Sequence, residues 1–245
     1  MTDSDTTIRL AKRVAEMMPC SRAEADKYIA GGWVSVDGQV VEEAGARVAD
    51  DQEVALHPDA TLVELAPVTI LLHKPAGYSA GGDNGAPATS LLTADTLVLP
   101  DHGNQRFLKR HLGNLTLTSP LETTSSGLVI YTQDFRVARK LVDEGQRVEQ
   151  EFIVEVAGTI REGGLALLNH GLPFNGKELA PMKASWQNET KLRFAVKGVK
   201  PGQLQHMCRM VGLSIVSIKR IRIGRVPMAS LPVGQWRYLH QYERF

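Results

Sequence analysis

With 245 residues, 43% of them hydrophobic and 22% charged, the chain has room for one large or two modest domains with an ordinary core, and no apolar run approaches the ~18–20 residues that span a bilayer. Two cysteines, Cys20 and Cys208, are too few for a disulfide framework or a cysteine zinc site. The polar start, Met1 to Thr7, lacks an apolar export core, so a reducing cytoplasm is expected. The net charge of +1 hides an asymmetry. Through Glu64, six basic residues face thirteen acidic ones, whereas from Lys191 onward eleven Lys or Arg face one acid, Glu243. That basic third reads either as a polyanion-facing surface or as a solvated charged face.

Residues 8–30 predict two short helices. Ile8, Leu10, Ala11, Val14 and Ala15 recur near helical spacing, and Pro19 breaks the run. Ser21 followed by Glu24 is a capping-box pair opening a second helix, Arg22 to Ile29, which Gly31-Gly32 ends. Trp33 to Val41 predicts a hairpin turning at Asp37-Gly38, and Glu53 to Leu56 a further strand. Helix, helix, hairpin and strand make a unit of about 60 residues.

That order resembles the S4 RNA-binding domain, on Arg9-Leu10-Ala11-Lys12, Cys20 to Asp26, Ile29, Gly32, Val34, Val36 and Asp37-Gly38. The resemblance implies phosphate contacts from the basic residues of the two helices, here Arg9, Lys12, Arg13, Arg22 and Lys27. Such contacts give affinity and position but do not read sequence. The acidic balance of the unit requires a basic face within an acidic module.

His57 to Pro67 reads as a linker. Val68 to Leu72 then predicts a buried strand ending in His73-Lys74-Pro75-Ala76-Gly77, and residues 79–89 a loop. Leu128 to Tyr131 predicts a strand, Arg136 to Val142 a helix, and Glu151 to Gly158 a strand. Lys191 to Val196 reads as another strand, Leu204 to Val211 as a helix closed by Gly212, and Ile215 to Ile223 as a basic-studded strand.

Four segments of this second region resemble S4-bearing bacterial ribosomal RNA pseudouridine synthases. His73 to Gly77 resembles the family's N-K-P-x-G. Pro120 to Thr132 resembles its G-R-L-D-x-D-[ST]-x-G-L loop and strand. Gly202 to Cys208 resembles the start of its H-Q-[VI]-R-R-M helix. Arg222-Ile223-Gly224 with Leu231 to Arg237 resembles its close. Each motif is short; their order and spacing carry the resemblance. It implies an α+β fold: a small N-terminal α-L S4 module, residues 1–60, then a mixed, largely antiparallel synthase domain with a central cleft, residues 61–245. It also implies isomerisation of uridine to pseudouridine in structured RNA, ribosomal RNA above all. The base is flipped from its stack, and no metal or organic cofactor is needed. No membrane is expected as a partner, and a cytoplasmic monomer is.

In that family an Asp carboxylate takes part directly, an Arg or Lys pairs with it, and an aromatic ring, usually Tyr, stacks on the base. Here Glu122 stands for the Asp, its oxygens up to roughly 1.5 Å farther from the backbone. Pro120 stands for the Arg before it, Gln150 for a Lys and Phe152 for the Tyr. Gln205 and His206 stand for Arg-Arg, with Gln205 in the Asp-pairing place. Leu204 keeps the apolar wall. The candidate catalytic set is therefore Glu122, Phe152, Leu204 and Gln205, with Lys74 and Arg222 added to the RNA-contacting residues. No metal ligands are expected: the histidines lack metal spacing, and the Gly-Gly pairs lack phosphate-loop context. Three readings stand: a divergent enzyme using Glu122, a catalytically silent RNA-binding protein acting in ribosome assembly, and a protein-interaction module that has left RNA. Glu122 itself reads as a nucleophile, a solvated loop acid or an RNA-bonding acceptor. Phe152 reads as core or base platform.

Overall fold

Helix α1 (Leu10–Met17) and helix α2 (Arg22–Ala30) meet at a turn whose chemistry is local. Ser21 Oγ accepts the Glu24 N–H at 3.2 Å, and the Glu24 carboxylate accepts the Ser21 N–H at 2.7 Å. This reciprocal pair holds the Glu24 carboxyl below the usual carboxylate range. Ser21→Ala removes one half of the box and is expected to cost about 1 kcal/mol in urea unfolding, with Ser21→Asp restoring most of it.

The computed structural model describes residues 7–62, 66–82, 84–98 and 107–245. These divide into two units, one holding the residues up to Ala66 with 107–113, the other the remainder from Pro67. Residues 1–6 and the 63–65 part of the expected linker lie outside the described residues.

In the first unit the two helices pack beside a three-stranded antiparallel sheet: β1 (Val34–Val36) lies between β2 (Gln39–Val41) and β3 (Val54–Leu56). Asp37 and Gly38 turn the hairpin with φ of 50° and 78°, the left-handed pair that a two-residue hairpin needs. Leu10, Val14, Ala25, Ile29 and Val34 form the core. Each fully buried aliphatic side chain among them is worth about 1.5–3 kcal/mol. Ile8–Arg9 pairs with Arg47–Val48 along one edge.

Residues 107–113 complete this unit from far along the chain. The Lys109 N–H donates to Glu42 at 2.7 Å. His111 is buried, and burial, aided by the neighbouring Arg110, pulls its imidazole down to about 4. The unfolded chain, at the ordinary 6.5, takes up its proton first as pH falls. This contribution to stability is therefore whole above pH 6.5 and is lost progressively toward pH 4, by up to about 3 kcal/mol. Urea unfolding at pH 7 and pH 4.5 should show that loss, and His111→Gln should flatten it.

The second unit is built on one mixed, largely antiparallel sheet. Its strands are β4 (Thr69–Lys74), β5 (Ser126–Thr132), β6 (Glu149–Gly158), β7 (Lys183–Trp186), β8 (Lys191–Lys197), β9 (Leu213–Ile223) and β10 (Trp236–Tyr238). They run in the order β7-β8-β6-β9-β5-β4-β10, with short flanking pairs at Thr116–Leu117 and Val226–Pro227. β4 is buried along its whole length, as its unbroken apolar run predicts, while β8 alternates buried and part-exposed residues.

β5 and β9 pair in parallel, and the contact is short: Ser126 faces Lys219, and Gly127 faces Arg220. Gly127 has φ 115°, and a Cβ there would sit 2.2 Å from the Arg220 carbonyl oxygen, so only glycine lets the strands approach.

Two expectations change in detail. Residues 79–89 include a parallel two-residue pairing, Tyr78–Ser79 with Ala86–Pro87, followed by a 3-10 turn at Ala88–Leu91; Asp83 lies outside the described residues. The 136–142 helix is a short α3 (Phe135–Ala138), N-capped by Asp134 and continued by a π-helical turn, Arg139–Asp143. Helix α4 (Gly164–His170), strand β7 and strand β10 carried no sequence expectation.

Candidate active site and RNA interface

The residues around Glu122 enclose a cavity of about 440 Å³ within the second unit. Pro120 and Glu122 come from the loop before β5, Gln150 and Phe152 from β6, and Leu204 and Gln205 from helix α5 (Gln203–Met210). The π-helical turn adds Leu141 and Val142. Such turns recur at functional sites because they shift one residue out of helical register.

The Glu122 carboxylate is tied at both oxygens. Oε1 accepts the Gly202 N–H at 2.6 Å, and Oε2 accepts the Gln205 side-chain amide at 2.7 Å. Gly202 is the N-cap of α5, with φ 73° and no capping side chain, so a donor of the helix start points at the acid. A helix N-terminus favours negative charge. Both of these partners are neutral.

A buried cation nevertheless lies under this loop. Arg220 on β9 is 2% exposed. Its Nε donates to the Leu128 carbonyl at 2.7 Å and its Nη2 to the Ser119 carbonyl at 2.8 Å. Its Nη1 donates to the Pro120 carbonyl at 3.0 Å and to Gln150 Oε1 at 3.1 Å. Burial pulls the guanidinium down to about 9, which leaves it charged at neutral pH. Arg220 therefore fixes the chain on both sides of Glu122 and orients Gln150. Sequence reasoning passed over it. The sequence carried no signal for it, because its pairing with Gly127 is set by the strand register.

The other expected residues divide. Phe152 is 3% exposed, so it is core along most of its surface and offers the cavity only a small face. Leu204 is buried and lines the wall. His206 Nε2 meets the Pro173 carbonyl at 2.9 Å and is engaged there.

Two expected RNA contacts are corrected. Lys74 is fully buried, its ammonium donating to the carbonyls of Ser125 at 2.6 Å, Tyr78 at 2.7 Å and Pro75 at 3.1 Å, so it shapes the loops and does not reach phosphate. Arg222 is held by Glu149 and Glu151, each at 2.6 Å, and by the Gly224 carbonyl. Glu151, paired also with Arg193, has its carboxyl lowered chiefly by the Arg222 hydrogen bond. Arg237 is likewise held by Glu243. Much of the basic excess after residue 191 is thus used internally. In the first unit Arg9, Lys12, Arg22 and Lys27 stay exposed, while Arg13 is half-buried against Asp50 at 2.8 Å. Lys200, exposed at the cavity, is a cation that sequence reasoning did not single out.

Among known proteins, the S4 domain family matches residues 8–54. Along 96% of its length the chain is 25% identical to the ribosomal small subunit pseudouridine synthase A of Escherichia coli K12, covering 98% of that protein. Along nearly its whole length the chain is thus similar to S4-bearing RNA pseudouridine synthases. It is also 26% identical to the dual-specificity RNA pseudouridine synthase RluF of Salmonella typhi, over 96% of this chain and 77% of that protein. A crystal structure of a pseudouridylate synthase superposes with a TM-score of 0.61 at 21% identity, covering 96% of both chains, which supports the fold. RNA is the partner that follows from S4 domain and family together. Among the described residues no helix is long and apolar enough to cross a membrane.

Proposed function

We propose that this protein binds structured ribosomal RNA and converts a uridine to pseudouridine in the Glu122 cavity, acting as a cytoplasmic monomer. The observation that carries this reading is the Glu122 carboxylate fixed by Gly202 and Gln205 at a cavity of about 440 Å³, a size suited to a small ligand such as one extruded base. The names of the relatives point the same way.

The reaction is an isomerisation. The bond from ribose to the base nitrogen breaks, the base turns, and a bond to carbon forms, with no net gain or loss of atoms. In this reading Glu122 supplies the carboxylate that acts on the ribose while the base is detached; the ring carbon that bonds the ribose gives up its proton, and the freed ring nitrogen takes one up. Leu204 and the exposed face of Phe152 wall the base, excluding water from it. Lys200 meets a phosphate, and Arg9, Lys12, Arg22 and Lys27 on the first unit hold the RNA backbone. In the test, ribosomal RNA from cells with and without the gene is mapped for pseudouridine. A site present only with the gene supports the reading.

A second reading, RNA binding without isomerisation, is favoured by one feature: Glu122 has neutral partners and caps the start of α5, a structural task sufficient to retain an acid there. It predicts ribosomal RNA binding that weakens with salt, and an unchanged pseudouridine map.

A further inference from the structure

A second groove in the second unit, about 680 Å³, shares no lining residue with the Glu122 cavity. Arg225, His240, Tyr242 and Arg244 line it over an apolar floor that includes Met228 and Leu231. The Tyr242 and His240 rings lie parallel, 5.2 Å between centroids with 9° between planes, and Tyr242 is 81% exposed. The turn carrying them is tied down. Arg237 grips Glu243 at 2.7 and 2.8 Å, and Glu243 also accepts the His240 N–H at 2.9 Å. Glu243, the carboxylate of this groove, is thereby neutralised. Arg225 and Arg244 remain exposed, the latter also donating to the Gln241 and Glu243 carbonyls.

We propose that this groove is a second contact for single-stranded RNA, with one base stacked on Tyr242 and phosphates met by Arg225 and Arg244. The proposal rests on the RNA-binding reading and adds to it a site distinct from the reacting one. A supported aromatic face beside cations is the chemistry that holds single strands without reading sequence. An acidic peptide would use the arginines and leave the ring idle. The five residue-to-residue steps from Arg220, at the Glu122 cavity, to Arg225 span at most about 17 Å, so one RNA strand can reach both places.

Fluorescence anisotropy with a labelled single-stranded oligouridine of about a dozen nucleotides, long enough to cover such a site, provides the test. Tyr242→Ala should weaken binding about tenfold, equivalent to 1.4 kcal/mol, and Tyr242→Phe should retain it. Arg225→Ala with Arg244→Ala should weaken binding and reduce the salt slope by about 2. Wild-type binding that falls with salt but is unchanged in all three variants overturns this groove while leaving RNA binding intact. Variants that lose a polyglutamate peptide but not the oligouridine overturn it in favour of a protein partner. A wild-type protein that binds neither oligouridine nor ribosomal RNA removes the RNA-binding reading, and this site with it.

Discussion

Replacing Arg220 by Met is expected to destabilise the second unit by about 3–5 kcal/mol, the largest stability effect of any single substitution considered for this chain. The side chain fills similar space, so little comes from packing. The cost comes from the carbonyls of Ser119 and Leu128, which are buried, and from the Pro120 carbonyl and the Gln150 amide oxygen, which are partly buried; all four lose a charged donor. Hydrogen bonds to charged groups are worth about 1.5–3 kcal/mol each. Against them stands the several kcal/mol recovered when a buried charge is removed. Four bonds outweigh one desolvation, and the net loss is a large part of the roughly 5–15 kcal/mol that holds a domain folded. Arg220→Lys keeps the charge but cannot span four acceptors in a plane, so it should fall between Met and wild type. Urea unfolding gives the stability, and hydrogen exchange at Leu121 and Ser125, whose amides bond Ala80 and Glu122, gives the local loosening. An Arg220→Met protein as stable as wild type would show that the guanidinium is not what holds the loop.

Glu122→Gln is expected to lower pseudouridine formation at least about 1,000-fold, the scale on which removing a reacting group acts. Stability and RNA affinity should change little. The Gln side chain still offers an oxygen to the Gly202 N–H, and the Gln205 amide can turn its own oxygen toward the new NH2. Gln205→Ala leaves the carboxylate in place but releases one oxygen, and should cost about 10- to 100-fold through lost positioning. Single-turnover rates on ribosomal RNA separate the two. If Gln205→Ala lowers affinity for RNA rather than the rate, the amide contacts substrate and does not orient the acid.

What could be read along the chain was what is decided locally. The Ser21–Glu24 box and the Asp37-Gly38 turn each lie within four residues, and both formed as expected. The apolar run at 68–72 and the strand at 128–131 were visible because burial on both faces leaves an unbroken hydrophobic stretch. What could not be read depends on distant partners. Strand β10 is three residues long and exists because Trp236 to Tyr238 pairs with Leu72 to Ile70, far back in the chain. Arg220 sits in the run Lys219-Arg220-Ile221-Arg222, where nothing nearby tells the buried guanidinium from its neighbours. Its acceptors lie 70 to 101 residues away. Arg222 looked available for RNA because its acids, Glu149 and Glu151, belong to another strand. Counting charge in a window overstated the basic face for the same reason. At the site, the substituted positions were legible one by one. That Glu122 and Gln205 meet, 83 residues apart in the chain, is a fact of the fold.

The central claim, that the Glu122 cavity isomerises uridine, is tested most directly with purified protein and ribosomal RNA from cells lacking the gene. Wild type and Glu122→Gln are compared at concentrations giving equal RNA occupancy, and the RNA is mapped for pseudouridine. New pseudouridine at a defined position with wild type, and none with Glu122→Gln, is the predicted result. Full occupancy by wild type with no pseudouridine formed would contradict the claim and leave an RNA-binding protein whose acid serves only to cap α5.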